Sequence, residues 1–226
     1  MINLPLYNQG NPQWGDYVMG KWPDGTLLTM RRWGCMVTSL SMALKNYGID
    51  ADPGFLCSLL GGTGGLDQEG NLVHSGIEKI YPDVVFYERQ YTSNYPGNTP
   101  KPKLLIGESL RRLQSYLSLG QPVILEVDNV GNDGRPDHWV VAKEYRDGDF
   151  LIHNPDGGIE QWFSKRYGDP AQKLYGFYQV IGQPTGFPPN SPPERQNLGL
   201  AAWKAAQVWK GKNVATYSKE ILGHIV

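Results

Sequence analysis

Apolar residues recur from Met36 onward at Val37, Leu40, Ala43, Leu44 and Tyr47, and Gly48 follows. That spacing is one face of a helix, and the glycine is a C-terminal stop. Asp52-Pro53 opens a second helix, with Asp as cap and Pro at the first position, and Phe55, Leu56, Leu59 and Leu60 give it a short apolar face. Gly61 to Gly65 reads as loop. Residues 71 to 80 carry a short helix with Leu72, Val73, Ile77 and Ile80 inward, and Val84-Val85-Phe86-Tyr87 reads as a strand. A Pro/Asn/Gly loop spans 91 to 103. A clearer amphipathic helix runs from Glu108 to Ser118, with Leu110, Leu113 and Leu117 in register and Gly120 as its stop.

The period then changes. Pro122 to Val127 is a buried strand, Val130 to Asp137 a polar loop, and His138 to Tyr145 a strand. Asp147-Gly148 is a hairpin turn, Phe150 to Asn154 the returning strand, and Tyr175 to Ile181 a further strand beyond the Asp156-Gly157-Gly158 turn. Helices first and an antiparallel sheet second is the α+β pattern. Residues 1 to 30 read as extended loop. Loops seldom spend tryptophans, so Trp14 and Trp22 imply that this segment lies against the domain. The pattern divides the chain into a domain over 1–182, a proline-rich linker over 183–197 and a helical tail over 198–226. The tail displays Trp203 and Trp209. A single helix cannot fold alone, so it must contact its own domain or a partner.

The 226 residues suffice for one sizeable core. A net charge of -1 points to no nucleic-acid partner. No apolar run reaches the roughly 20 residues of a membrane span. The N-terminus lacks the basic and apolar regions of a signal peptide, so the expected site of synthesis is the cytoplasm, with export left to a non-classical or phage route. Gly61 to Gly65 lacks the Lys-Ser/Thr of a phosphate loop, and nothing in the chain asks for a cofactor or a metal. Cys35 and Cys57 could pair, but two free thiols are the simpler expectation.

Cys35 carries the candidate chemistry. It follows Gly34 at the start of the first helix, where the first-turn N–H groups and the helix dipole favour a thiolate. Cys57 lies inside an apolar helix with nothing nearby to activate it. His138 opens a strand after a polar loop, and Asn154 closes the next. The Asp147-Gly148 turn brings those two strand ends together, so on this reading the turn alone makes His138 and Asn154 neighbours, with His153 on the opposite face. A cysteine, then a histidine, then an asparagine is the order of a cysteine peptidase triad: nucleophile, general acid/base and orienting group.

The ordered residues Gln9, Trp14, Gly34-Cys35, Thr38-Ser39, Met42, Tyr47-Gly48, Asp137-His138-Trp139-Val140-Val141 and Asn154-Pro155 resemble papain-like cysteine peptidases of the bacteriocin-processing, double-glycine-leader group and their peptidase-like relatives. The resemblance covers residues 5 to 182. It implies a papain-like fold with N-terminal helices packed on a C-terminal antiparallel sheet. It also implies that Gln9 donates to the oxyanion beside the backbone N–H of Cys35. That group usually has Asp where this chain has Asn154. Papain-type enzymes use Asn, and Asp156 is a second candidate for the orienting role. The implied substrate is a peptide or protein, or the peptide stem of bacterial cell wall, since cysteine-histidine cell-wall amidases share the triad order. Leader peptidases of the group are usually fused to a transporter, which this chain lacks, so bacteriocin processing is not implied. Inactive relatives give the alternative, a non-catalytic peptide-binding domain.

Overall fold

A computed structural model describes residues 2–82, 84–91, 108–129 and 136–182. A small hairpin comes first, β1 (Val18–Lys21) and β2 (Leu27–Thr29), in the segment whose pattern reads as loop. Strands of three and four residues are too short to show an alternation. Four helices follow: α1 (Met30–Trp33), α2 (Cys35–Lys45), α3 (Pro53–Thr63) and α4 (His74–Ile80). Then come β3 (Val85–Tyr91), α5 (Glu108–Ser118), β4 (Val123–Val127), β5 (His138–Arg146), β6 (Asp149–Asn154) and β7 (Ile159–Trp162). The short helices α6 (Phe163–Tyr167) and α7 (Pro170–Lys173) lead into β8 (Leu174–Ile181). The sheet is antiparallel and six-stranded, in the order β3-β8-β4-β5-β6-β7. This is the expected α+β arrangement of N-terminal helices on a C-terminal antiparallel sheet.

Helix α2 contacts β4, β5 and β8, and its Val37, Leu40, Met42 and Leu44 are fully buried among Val123, Ile124, Val140 and Val141. Helix α5 covers the other side of the sheet, with Tyr116 tilted against Phe177, whereas the next residue of β8, Tyr178, packs on Trp139. Asp52 caps α3 as its sequence implies, accepting from the Phe55 N–H at 2.8 Å. The helix does not stop at Gly61, however. It runs through to Thr63 and ends at Gly64 in the left-handed region, φ 73°. Leu72 and Val73, expected inside a helix, precede α4; Leu72 instead bridges to Leu66. The proposed linker and tail, most of the 91–103 loop and most of the 130–137 loop lie outside the described residues.

One feature of the β5–β6 hairpin corrects the sequence reading. Asp147 (φ 53°) and Gly148 (φ 88°) form a two-residue turn closing the Arg146↔Asp149 pair. Carried on without a break, that register puts every even residue of β5 on the same face as odd residues of β6. His138 would then share a face with His153, and Asn154 would point away. The ladder shifts between Ala142 and Glu144, leaving Lys143 unpaired, so that Val141 faces His153. A single extra residue in one strand exchanges the faces beyond it. It is this β-bulge, and not the turn alone, that turns Asn154 to the side of His138.

Candidate active site

Cys35 is the first residue of α2, and Gly34 joins it to α1 at a close approach of backbones. The Gly34 N–H donates to the Met30 carbonyl at 2.7 Å, and a Cβ on Gly34 would stand 2.5 Å from that same oxygen. No other residue fits there without moving α1, which accounts for glycine directly before the cysteine. Cys35 is buried, with 8% of its surface exposed. One turn on, Ser39 Oγ donates to the Trp139 carbonyl at 3.2 Å and ties α2 to β5 beside His138.

His138 is buried and its Nε2 lies 2.8 Å from Asn154 Oδ1. A carboxamide oxygen only accepts, so Nε2 carries the proton and Nδ1 is left as the base. Burial, the largest influence on His138, acts to lower its pKa, but the hydrogen bond and charge of Cys35, then Asn154 and the Asp156 charge, outweigh it and raise the pKa above its ordinary value. Asn154 Oδ1 also accepts from the Asp156 N–H at 2.9 Å, and Asn154 Nδ2 donates to the Tyr167 hydroxyl at 3.2 Å. The structure therefore puts Asn154 against the imidazole, while Asp156 is exposed and meets this network through its backbone.

Gln9 is buried in the loop before β1. Its Nε2 donates to the Arg31 carbonyl at 3.0 Å, its backbone N–H donates to the Pro155 carbonyl at 2.9 Å, and its Oε1 has no hydrogen-bond partner. Exchanging the ends of the amide would set two carbonyl oxygens against each other, so the donor end is fixed toward Arg31. A carboxamide nitrogen has two N–H bonds, and one remains to donate. The loop carrying Gln9 is held by Arg31, whose guanidinium donates to the Gly10 carbonyl at 2.7 Å and to Asp16 at 3.1 Å. Trp14 is buried, edge-on to Tyr7, with its indole N–H on the Asn8 carbonyl at 2.9 Å.

A cleft of about 610 Å³ opens beside Cys35. Trp22 and Trp33, with ring centroids 5.0 Å apart, line it together with Trp139 and Tyr178, also 5.0 Å apart.

The other candidates fall elsewhere. Cys57 is buried in α3, and that burial pushes its thiol up to about 11. Both cysteines are free. His153 is buried away from the site, with Nδ1 2.9 Å from the Pro5 carbonyl and Nε2 2.7 Å from Glu160. His74 lies edge-on to Tyr178. Tyr167 and Arg31 have no place in the sequence argument for the site, and Ser39 enters it only through the resemblance. For Tyr167 the available signal was the Phe163–Tyr167 pair at helical spacing just before Gly168. Among the described residues, no cluster of His, Cys, Asp or Glu could hold a metal ion, and no helix is long and apolar enough to cross a membrane.

A family model described as the Peptidase_C39 like family matches residues 1–185. The chain is also similar to the crystal structure of a protein from Bacillus anthracis described as a C39-like peptidase. The identity is 17% and the TM-score 0.41, over 78% of this chain and 94% of that one. No curated protein matches.

Proposed function

Because the chain belongs to the Peptidase_C39 like family, we propose that it is a cysteine peptidase of papain-like mechanism acting through Cys35, His138, Asn154 and Gln9. The observation that carries this reading is the 2.8 Å contact of His138 Nε2 with Asn154 Oδ1, which leaves Nδ1 free to serve Cys35. His138 Nδ1 accepts the proton of Cys35 Sγ, and the thiolate adds to the scissile carbonyl carbon. The oxyanion so formed accepts from the second N–H of Gln9 Nε2 and from the Cys35 backbone N–H. Collapse breaks the C–N bond as the imidazolium gives its proton to the leaving amine, and a thioester remains. Water then adds to the thioester while His138 takes its proton, and the thiol is regained with release of the acid. Asn154 holds the Nε2–H tautomer throughout.

The substrate in this reading is a peptide, a protein or a cell-wall peptide stem, lying in the cleft lined by the Trp22–Trp33 and Trp139–Tyr178 pairs. The catalytic unit is residues 1–182, with the linker and tail as an appended element. A peptide electrophile should label Cys35, and the unmodified protein should release new amino termini from a peptide library or from peptidoglycan. Absence of both labelling and cleavage would leave a peptide-binding domain as the reading to pursue.

A further inference from the structure

Asn154 holds its place in the network by one of two ends that differ by a single atom. With Oδ1 toward His138, it accepts from Nε2–H. Turned over, it would present Nδ2–H to Nε2–H, donor against donor. The imidazole would then move its proton to Nδ1, where it could no longer accept from Cys35. The orientation of one carboxamide thus decides whether the base is available. A carboxylate, with two equivalent oxygens, has no such choice to make.

We propose that Tyr167 is the positioning residue that keeps the Asn154 carboxamide turned with its oxygen toward His138. The inference rests on Cys35 and His138 working as a pair, as proposed above. Asn154 is 1% exposed, so an Nδ2 without a partner there would be costly. The Tyr167 hydroxyl accepts from Nδ2 at 3.2 Å, while the Asp156 N–H grips Oδ1 at 2.9 Å. The amide is held at both ends. The ring that carries the hydroxyl is held by aromatic packing: its centroid lies 5.1 Å from that of the tilted Phe163 ring, and Phe163 meets Phe150 edge-on at 6.4 Å in β6, the strand that ends at Asn154. Burial, the largest influence, pushes the Tyr167 phenol above its ordinary range against the opposing Arg166 guanidinium, so the acceptor is a neutral hydroxyl.

The test compares Tyr167→Phe in two backgrounds. Phe keeps the ring against Phe163 and removes only the acceptor. Iodoacetamide labelling of Cys35 is followed by peptide mass at about pH 6 and about pH 9, where an unaided thiol is respectively protonated and largely ionised. In the Asn154 protein, Y167F should lower labelling at the acid pH by about three- to tenfold, the worth of one buried hydrogen bond, and leave the alkaline rate unchanged. In the N154D background, where nothing needs turning, Y167F should change the acid-to-alkaline ratio by less than about twofold. An equal fall in both backgrounds, or no fall in the Asn154 protein, overturns the proposal. The imidazole nitrogen shifts of His138 separate this from failure of the peptidase reading. Y167F should move His138 from the Nε2–H toward the Nδ1–H tautomer whether or not Cys35 is reactive, and an unmoved tautomer overturns the proposal by itself.

Discussion

The two walls that meet at Cys35 are held in unlike ways. The His138–Asn154 wall is sheet: β5 and β6 pair with each other and with β4 and β7 on either side, so its position is fixed by main-chain ladders. The Gln9 wall has no strand of its own until Val18. It is pinned by single contacts, above all those that converge on Arg31, including the Arg31 N–H on the Gly15 carbonyl at 2.7 Å. In the proposed mechanism, proton transfer falls to the wall held by ladders and oxyanion binding to the pinned one. Substitutions on the two sides should separate accordingly.

The largest effect is expected on the rigid wall. His138→Ala should lower turnover by about 10²–10⁴-fold, the worth of a general acid/base. It should also slow iodoacetamide labelling of Cys35 at about pH 6 but much less at about pH 9. Cys57, pushed up to about 11, should label last at either pH. Cys35→Ala should abolish turnover and lower the His138 pKa, since Cys35 is the strongest of the influences raising it. A raised folded pKa means that the His138 contribution to stability is full below the ordinary imidazole value. It is lost as pH rises through the folded value. The stability gap between the two proteins on this account should therefore shrink with rising pH, which an NMR titration of His138 and denaturant melts would read together.

Next comes the pinned wall. Gln9→Ala should reduce turnover by roughly 10²–10³-fold, as for other single oxyanion donors, with labelling of Cys35 nearly unchanged. Equal loss of both would make Gln9 a structural residue and erase the contrast. A smaller effect is expected where the rigid wall meets its turn. Asn154→Ala should cost about ten- to hundredfold in turnover, the range for a hydrogen bond to a charged group. Asp156→Ala should cost less, because Asp156 reaches Asn154 through its backbone. The reverse order would transfer the orienting role to Asp156. Smallest is Arg31→Met. Its ion pair with Asp16 is exposed, so stability should change by less than about 1 kcal/mol. The freed Gln9 loop should lower kcat several-fold, while His138→Ala-type loss of acid labelling should be absent.

How far these walls could be read from sequence follows the length of their elements. Helix α5 ends where its leucine spacing says, at Glu108 and Ser118, and the Gly34–Cys35 helix start and the order of Cys35, His138 and Asn154 need no coordinates. Short elements such as β2, β7 and α6 hold too few periods to stand out, and with α6 went Tyr167. Gly61 and Gly62 misled because tertiary packing can carry a helix through glycines that its propensity disfavours. Lys143 looks like any strand residue, and only the pairing reveals it as the extra one.

That unpaired lysine sets a reading frame. Between the turn and the site, the hairpin counts its residues in twos, and Lys143 shifts the count by one. Were Lys143 paired in line with its neighbours instead of left out, every side chain of the proposed site would remain in the sequence, and His153 rather than Asn154 would share the face of His138. The lysine also anchors the side it excludes, through its Nζ on Glu160 at 2.8 Å, and Glu160 in turn holds His153. Length changes in this arm are therefore governed by parity. Grafts at the Asp147-Gly148 tip that preserve the Arg146↔Asp149 pair keep the frame, while a single-residue insertion within β5 exchanges an amide for a second imidazole.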